Sequence, residues 1–501
     1  MAHDDQIAIA LRDLCAGENI EIFGIHVNQP IGRGHKVALA HITPGELVRR
    51  YDQVIGTATC SIAPGDLVHT QNLGFIPQPI QRNIHPASGT SWQRPTVAAK
   101  NSFSGFHRDD GRVGTRNYIG ILTSVNCSAT VARRIADSFP DSEIKEQYPN
   151  VDGVIALTHK SGCSIPESSS SMAMLRRTIA GYAQHPNFAA VLVIGLGCED
   201  NQIEALFKDQ NLTEGPALKS FYIQDAGGTR SAIEQGCRMI NVMLEQANSY
   251  RRQPAPASAL TIGLQCGGSD GFSGISANPA LGSAVDQIVA AGGCAILSET
   301  PEIYGAESLL LARAINSKVQ QELLTLLDWW EKYTADEPQG LDNNPSPGNK
   351  RGGLTTILEK SLGAVTKGGT APLSGVYGYA EPIAQKGLVF MDSPGYDPVS
   401  ITGQVASGAN LVCFTTGRGS CFGCRPVPTI KLASNTPMYQ RMQEDMDVNC
   451  GALLDGKATI DSMGADIYEK ILRVASGEPT KSEEHGYGED EFAPWHLSAW
   501  L

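Results

Sequence analysis

Four of the chain's twelve cysteines stand in equivalent places, each at the end of a short apolar run: Cys127 after "YIGILTSVN", Cys163 after "GVIALTHKSG", Cys198 after "AVLVIGLG" and Cys266 closing "LTIGLQ". Thiolates are soft metal ligands, and four that converge would hold a divalent metal or an iron–sulfur cluster. Buried thiols also serve as inert small hydrophobes, and none of these four belongs to a close C-x-x-C pair. Cys421 and Cys424 do form one, which is half a zinc site at most. His159, four residues before Cys163, is a candidate base or ligand. The stretch "LQCGGSDGFSGISANP" adds Ser269, Asp270, Ser273 and Asn278 beside glycines that admit close approach, a set suited to binding hydroxyls. "NPSPGNKRGG" offers Asn349 for binding and Lys350 for catalysis, and "TTGRG" presents Arg418 between glycines, where its planar fork can grip a carboxylate. None of the Gly-rich loops has the spacing of a phosphate loop, so no nucleotide site is expected.

These residues need a scaffold. The runs "YIGILTSV", "GVIALTH", "AVLVIGLG", "LTIGLQC", "CAILSE", "GLVFMD" and "LVCFTTG" are short and rich in Ile, Val and Leu, which suits strands buried on both faces of a parallel sheet. Strands alternating with helical sequence predict an α/β, Rossmann-like arrangement. In open parallel sheets the loops past the carboxyl ends of the strands line the ligand crevice, which is where the candidate residues fall. Residues 1–75 read as a small β module with two related turns, Ile42 to Glu46 and Ile62 to Asp66. A linker is expected over 76–105, a first α/β region over 106–340 and a C-terminal Rossmann-like region over 341–501.

The chain has 501 residues, 41% hydrophobic and 18% charged, with no apolar run near the roughly 20 residues of a membrane helix. A net charge of -13 argues against nucleic acid or an anionic membrane as partner. A small anionic substrate held by local basic groups stays open. The acidic start "MAHDDQ" lacks the basic region of a secretory signal, so a cytoplasmic, reducing location is expected, with thiols free for metals.

The combination "GRGHKVAL", "DGRVGTRN", "HKSGC", "VLVIGLGCE", "QCGGSDGFSGISANP", "NPSPGNKRGG" and "TTGRG" resembles the altronate and galactarate dehydratase family of sugar-acid hydro-lyases. The resemblance implies a SAF domain of β-clip fold over residues 1–75 and two further regions, one serving dimerisation, hence a homodimer. It also implies a sugar-acid substrate and ferrous iron or manganese. An iron–sulfur cluster at Cys127, Cys163, Cys198 and Cys266 is the other option for the metal. Dehydrating a 2,3-dihydroxy acid requires a base at the C2 proton, an acid at the C3 hydroxyl and stabilisation of the enediolate. His159 is the favoured base, with His35 of "GRGHKVAL" the alternative if the small module folds over the crevice. "VLVIGLGCEDNQ" and "LSETPEIYGAE" favour altronate, whereas "TSVNC" and "MDVNCG" lean toward galactarate. Fusion of the small module to the large region disfavours a carbon–sulfur lyase acting on a sulfolactate-like acid. A non-catalytic sugar-acid-binding protein is the reading from another class.

Overall fold

The computed structural model describes residues 4–77, 80, 84, 92–95, 101–338 and 340–497. Most of the expected linker over 76–105 lies outside the described residues.

The N-terminal module is built from short antiparallel strands. Ile7–Ile9, Lys36–Ala38 and Leu67–Val68 make one three-stranded sheet, and Leu47–Arg50, Gln53–Ala58 and Leu73–Gly74 make another. The two related turns pair with each other: Ile42 and Ile62 exchange backbone hydrogen bonds of 2.9 and 3.0 Å, and both side chains are buried. Their glycines, Gly45 and Gly65, take φ of 85° and 87°, the left-handed value that each Pro-Gly turn requires.

The second region is a four-stranded parallel sheet in the order Gly153–Leu157, Tyr118–Thr123, Phe188–Gly195, Leu218–Tyr222. Period-2 alternation divides its side chains. Ile119, Ile121, Leu192 and Ile194 pack on helices Ala129–Ala136 and Thr229–Ala247. Leu122, Leu157, Val191 and Val193 face helices Ser170–Ala183 and Ile203–Asp209. An antiparallel ribbon, in which Ser102–His107 pairs with both Val113–Gly114 and Arg252–Pro256, closes this region.

The third region is a seven-stranded parallel sheet in the order Leu373–Tyr377, Gly387–Met391, Cys294–Leu297, Thr261–Cys266, Leu411–Thr416, Thr429–Ala433, Val448–Asn449. Strands from both sides of residue 340 share this one sheet, which corrects the expected boundary there. The division falls instead between Ala247, where the last helix of the second region ends, and Thr261. The Pro- and Gly-rich segment around residue 345 is a connection within this region and carries the short helix Pro347–Arg351. From the central strand Thr261–Cys266 the chain winds first to one side and, from Leu411–Thr416, to the other. The point between these two strands is a topological switch, where a crevice opens at the carboxyl ends.

Candidate active site

The loops that leave the switch point are "GGSDG" after Cys266 and "GRG" after Thr416, and they interlock. Asp270 is 5% exposed and organises both. Its Oδ1 accepts hydrogen bonds from the Phe272 and Ser273 amides (3.1 and 2.8 Å) and from the Ser273 and Ser434 hydroxyls (both 2.9 Å). Asn435 donates to its Oδ2 at 3.0 Å. Burial raises the Asp270 pKa, against hydrogen bonds that favour the anion.

Four expected substrate-binding residues therefore do structural work. Asp270 and Ser273 satisfy each other. Asn278 accepts from the Thr415 hydroxyl at 2.6 Å and donates to the Gly363 carbonyl at 2.9 Å, and so ties neighbouring elements together. Asn349 forms a capping box with Ser346 on the short helix Pro347–Arg351 and donates to the Ser269 carbonyl at 2.9 Å, joining this loop to the first. Ser269 lines a small cavity with Arg50, Asp270 and Lys360.

The small β module folds over this crevice. Gly34 threads between the loop after Cys266 and the end of the helix Pro347–Arg351, and a Cβ at Gly271 or Gly353 would lie 2.1 or 2.2 Å from its carbonyl oxygen, so both positions need glycine. The module is pinned by charge as well. Lys36 is fully buried and donates to the Gly353 carbonyl at 2.6 Å and to Glu359 at 2.8 Å, while Arg50 meets the other Glu359 oxygen at 2.9 Å. Burial alone would raise the Glu359 pKa, but Lys36 and Arg50 hold it down at about 2.

Docking the module builds a cleft against Asp270. Arg33 from the module, Arg351 from the helix loop, Arg418 from the strand loop and Arg441 line it together with Asn435. Arg351, Arg418 and Arg441 are exposed, and Arg33 lies over the Phe272 ring at 5.1 Å. His35, two residues from Arg33, is half-buried, stands 5.4 Å from the His69 ring between centroids, and has an Nδ1 with no hydrogen-bond partner. His69 in turn bonds the Lys350 carbonyl at 2.8 Å, which sets the half-buried Lys350 beside the histidine pair.

His159 is elsewhere, and its expected role as base is corrected. It sits in the second region, 4% exposed, with Nε2 on the Thr123 carbonyl at 2.9 Å and Nδ1 accepting from the Ser161 amide at 3.2 Å. Both nitrogens are engaged, and burial pushes its pKa down to about 4. The four cysteines are divided too. Cys127, Cys163 and Cys198 are exposed at the edge of the four-stranded sheet, while Cys266 is buried in the seven-stranded one, so the four thiols do not share one edge.

Beneath the cleft lies an ionic cluster that the sequence reading missed. Cys266, Glu299 and Glu302 bring possible ligand atoms within 4.8 Å of one another. Lys367 Nζ, however, is 2.9 Å from the Cys266 sulfur and 3.5 Å from Glu299, and Lys360 Nζ is 2.6 Å from Glu302. Two ammonium groups already occupy the place of a cation, and burial pushes the Cys266 thiol up to about 12. This donor set does not fit the expected metal. Burial and the neighbouring Glu302 raise the Glu299 pKa well above the usual carboxylate range. Glu299 also takes a left-handed φ of 72°, a conformation costly for a non-glycine residue and concentrated at functional sites. The only hint in the sequence was the pair of acids in "LSETPEI", at the end of a strand.

Family models match three consecutive stretches of the chain. The altronate/galactarate dehydratase SAF domain covers residues 1–75, the D-galactarate dehydratase/altronate hydrolase second domain covers 105–248, and the D-galactarate/altronate dehydratase C-terminal domain covers 257–499. The altronate dehydratase of Bacillus subtilis (strain 168) is 35% identical over 491 residues, 97% of this chain and 96% of that one. The galactarate dehydratase (L-threo-forming) of Escherichia coli (strain K12) is 36% identical over 494 residues, 97% and 94%. The beta subunit of the (2R)-sulfolactate sulfo-lyase of Chromohalobacter salexigens is 32% identical over 396 residues, 77% of this chain and 96% of that one. A small β module clasped over the switch point of a parallel sheet, with this likeness along nearly its whole length, defines an enzyme of the dehydratase, or hydro-lyase, class. The chain belongs to the altronate and galactarate dehydratase family.

Proposed function

We propose that the chain dehydrates a six-carbon sugar acid to a 2-keto-3-deoxy acid in the cleft between the small β module and the seven-stranded sheet, with altronate the favoured substrate and galactarate the alternative. The observation that carries this reading is the convergence of Arg33, Arg351, Arg418 and Arg441 on one cleft of a chain whose net charge is -13. Guanidinium forks bind carboxylates bidentately, and gathering them against the global charge makes sense for an anionic ligand.

In this proposal the arginines hold the substrate carboxylate, and their positive charge stabilises the enediolate that forms when the C2 proton leaves. His35, on the module loop that brings Arg33 to the cleft, takes that proton. Lys350, on the adjoining loop, donates a proton to the departing C3 hydroxyl, which leaves as water. The resulting enol tautomerises to the keto acid. Metal dependence stays part of the proposal, but no step is assigned to an ion at Cys266, Glu299 and Glu302.

The test is a turnover assay with altronate and galactarate, ferrous iron being added anaerobically and keto acid measured. His35→Asn is expected to lower kcat by about 10²- to 10⁴-fold, the usual worth of a positioned general base. His159→Asn should retain turnover in the folded fraction. Saturable binding of sugar acids with no keto acid would make the chain a binder, and full activity of His35→Asn would remove the assigned base.

A further inference from the structure

The carboxyl edge of the four-stranded sheet carries a second constellation. Tyr118–Thr123 lies between Gly153–Leu157 and Phe188–Gly195, all parallel, so the loops bearing Cys127, Cys163 and Cys198 leave the same edge from adjacent strands. Hydrogen bonds join these loops pairwise in a closed triangle. The Asn126 amide donates to the Ser161 carbonyl at 2.9 Å, linking the loops of Cys127 and Cys163. The Asn201 amide donates to the Gly162 carbonyl at 3.1 Å and the Ser164 amide to Asp200 at 2.6 Å, linking those of Cys163 and Cys198. The Ser124 hydroxyl donates to Glu199 at 2.5 Å and closes the third side. Each cysteine is a sequence neighbour of at least one residue in these bonds.

The other possible ligands at this edge are already committed. Glu199 also accepts from the Leu196 and Gly197 amides at 3.1 and 2.7 Å, Asp200 is bonded to Ser164, and His159 has both nitrogens occupied. The sulfurs are what remains. All three are free and exposed, and among the described residues only Cys198 has a weak donor nearby, Gln224 Nε2 at 3.5 Å. In contrast with Cys266, none has an ammonium group beside it in an ion pair or hydrogen bond among the described residues.

From this placement we infer that Cys127, Cys163 and Cys198 are the three protein ligands of an iron–sulfur cluster. Spacing and donor type favour a cluster over a single ion. Around one tetrahedral metal with bonds near 2.3 Å, the sulfurs would stand about 3.8 Å apart. Among the described residues these three thiols do not form a group within 4.8 Å, and a donor set of thiolates alone is the one that iron–sulfur clusters use. Three thiolates around a four-iron cluster leave one iron without a protein ligand. The site lies on a different sheet from the arginine cleft, and the inference does not depend on the proposed substrate.

The test is anaerobic reconstitution of the full chain with ferrous iron, sulfide and a thiol reductant. Iron, acid-labile sulfide and the visible spectrum are then measured per chain. The wild type should gain a brown thiolate–iron chromophore with about four irons and four sulfides. Cys127→Ala, Cys163→Ala and Cys198→Ala should each lose it, while Cys266→Ala keeps it. Because the three thiols are exposed, the variants should fold, which circular dichroism checks. As a second readout, loading should protect these three cysteines of the wild type from alkylation, as mapped by mass spectrometry. Iron bound without sulfide would overturn the cluster. A chromophore that survives in all three variants, or unprotected thiols in the loaded protein, would overturn the ligand assignment.

Discussion

At the four-stranded sheet, Cys127, Cys163 and Cys198 face solvent on loops that hydrogen bonds draw together. At the seven-stranded sheet, Cys266 ends a strand in the same way but lies beneath the docked β module, with Lys367 against its sulfur and its pKa pushed up to about 12. The same residue type at the same topological position is an available ligand in one sheet and a buried, protonated thiol in the other. What differs is the covering. Docking the β module imports Lys36 and Arg50, and the sheet beneath it holds the acids and lysines that answer a buried charge.

The largest expected effect comes from undoing that covering. Glu359→Gln would leave Lys36 and Arg50 buried without their counter-ion. Removing one partner of a buried charge set costs about 3 to 5 kcal/mol, so a large fall in Tm is expected in calorimetry. The pH dependence has a definite sign. The folded pKa of Glu359 is depressed from the ordinary 4.5 to about 2. Its contribution is therefore fully present above about 4.5 and is lost as pH falls through 2. In Glu359→Gln this part of the acid destabilisation should disappear. An unchanged Tm in the variant would mean that the clasp is held by backbone contacts at Gly34, Gly271 and Gly353 alone.

Next in size is Arg418→Lys, which keeps the charge and removes the planar fork. A loss of about 1 to 3 kcal/mol in kcat/KM for the sugar acid is expected, roughly 5- to 150-fold, with no change in Tm because Arg418 is exposed. Unchanged kinetics would make the arginine cleft a solvated surface, and the difference between the two edges would then rest on the buried cluster alone.

All seven apolar runs picked out in the sequence became strands, because strands buried on both faces leave a continuous Ile, Val and Leu signature. Four other parallel strands were missed: Leu218–Tyr222, Leu373–Tyr377, Thr429–Ala433 and Val448–Asn449. Each is at or near a sheet edge, and polar residues such as Lys219 and Lys431 break the apolar run. The polar tail after residue 476 also proved structural. Trp495 stacks on Trp330 at 5.5 Å and Phe492 meets Tyr182 at 4.8 Å, contacts that no local pattern announces. At the site, the loops were legible but the roles within them were not. Asp270, Ser273, Asn278 and Asn349 are polar and loop-borne like substrate ligands, yet each spends its hydrogen bonds within its own loop or on neighbouring elements. The proposed choice of His35 over His159 rests on how the first 75 residues dock, which no local pattern shows. Glu299 and Lys367, roughly 70 residues apart in sequence, meet only through the parallel crossovers.

The smallest effect is the sharpest test of the two edges, because it isolates the thiol from its surroundings. In metal-free protein, Cys127→Ala removes an exposed sulfur that has no partner among the described residues, and stability should move by no more than about 0.5 kcal/mol. Cys266→Ala removes the acceptor 2.9 Å from a fully buried ammonium group, leaving Lys367 with Glu299 at 3.5 Å, and should cost about 1 kcal/mol or more. Chemical denaturation of both variants at one pH, in the presence of a chelator, measures the difference. If Cys127→Ala destabilises the metal-free chain as much as Cys266→Ala does, the exposed thiol is packing its own loop. The two cysteines would then differ in burial but not in kind. If only Cys266→Ala does, the thiol at the open edge contributes nothing to the empty fold, as expected of a residue kept for a ligand.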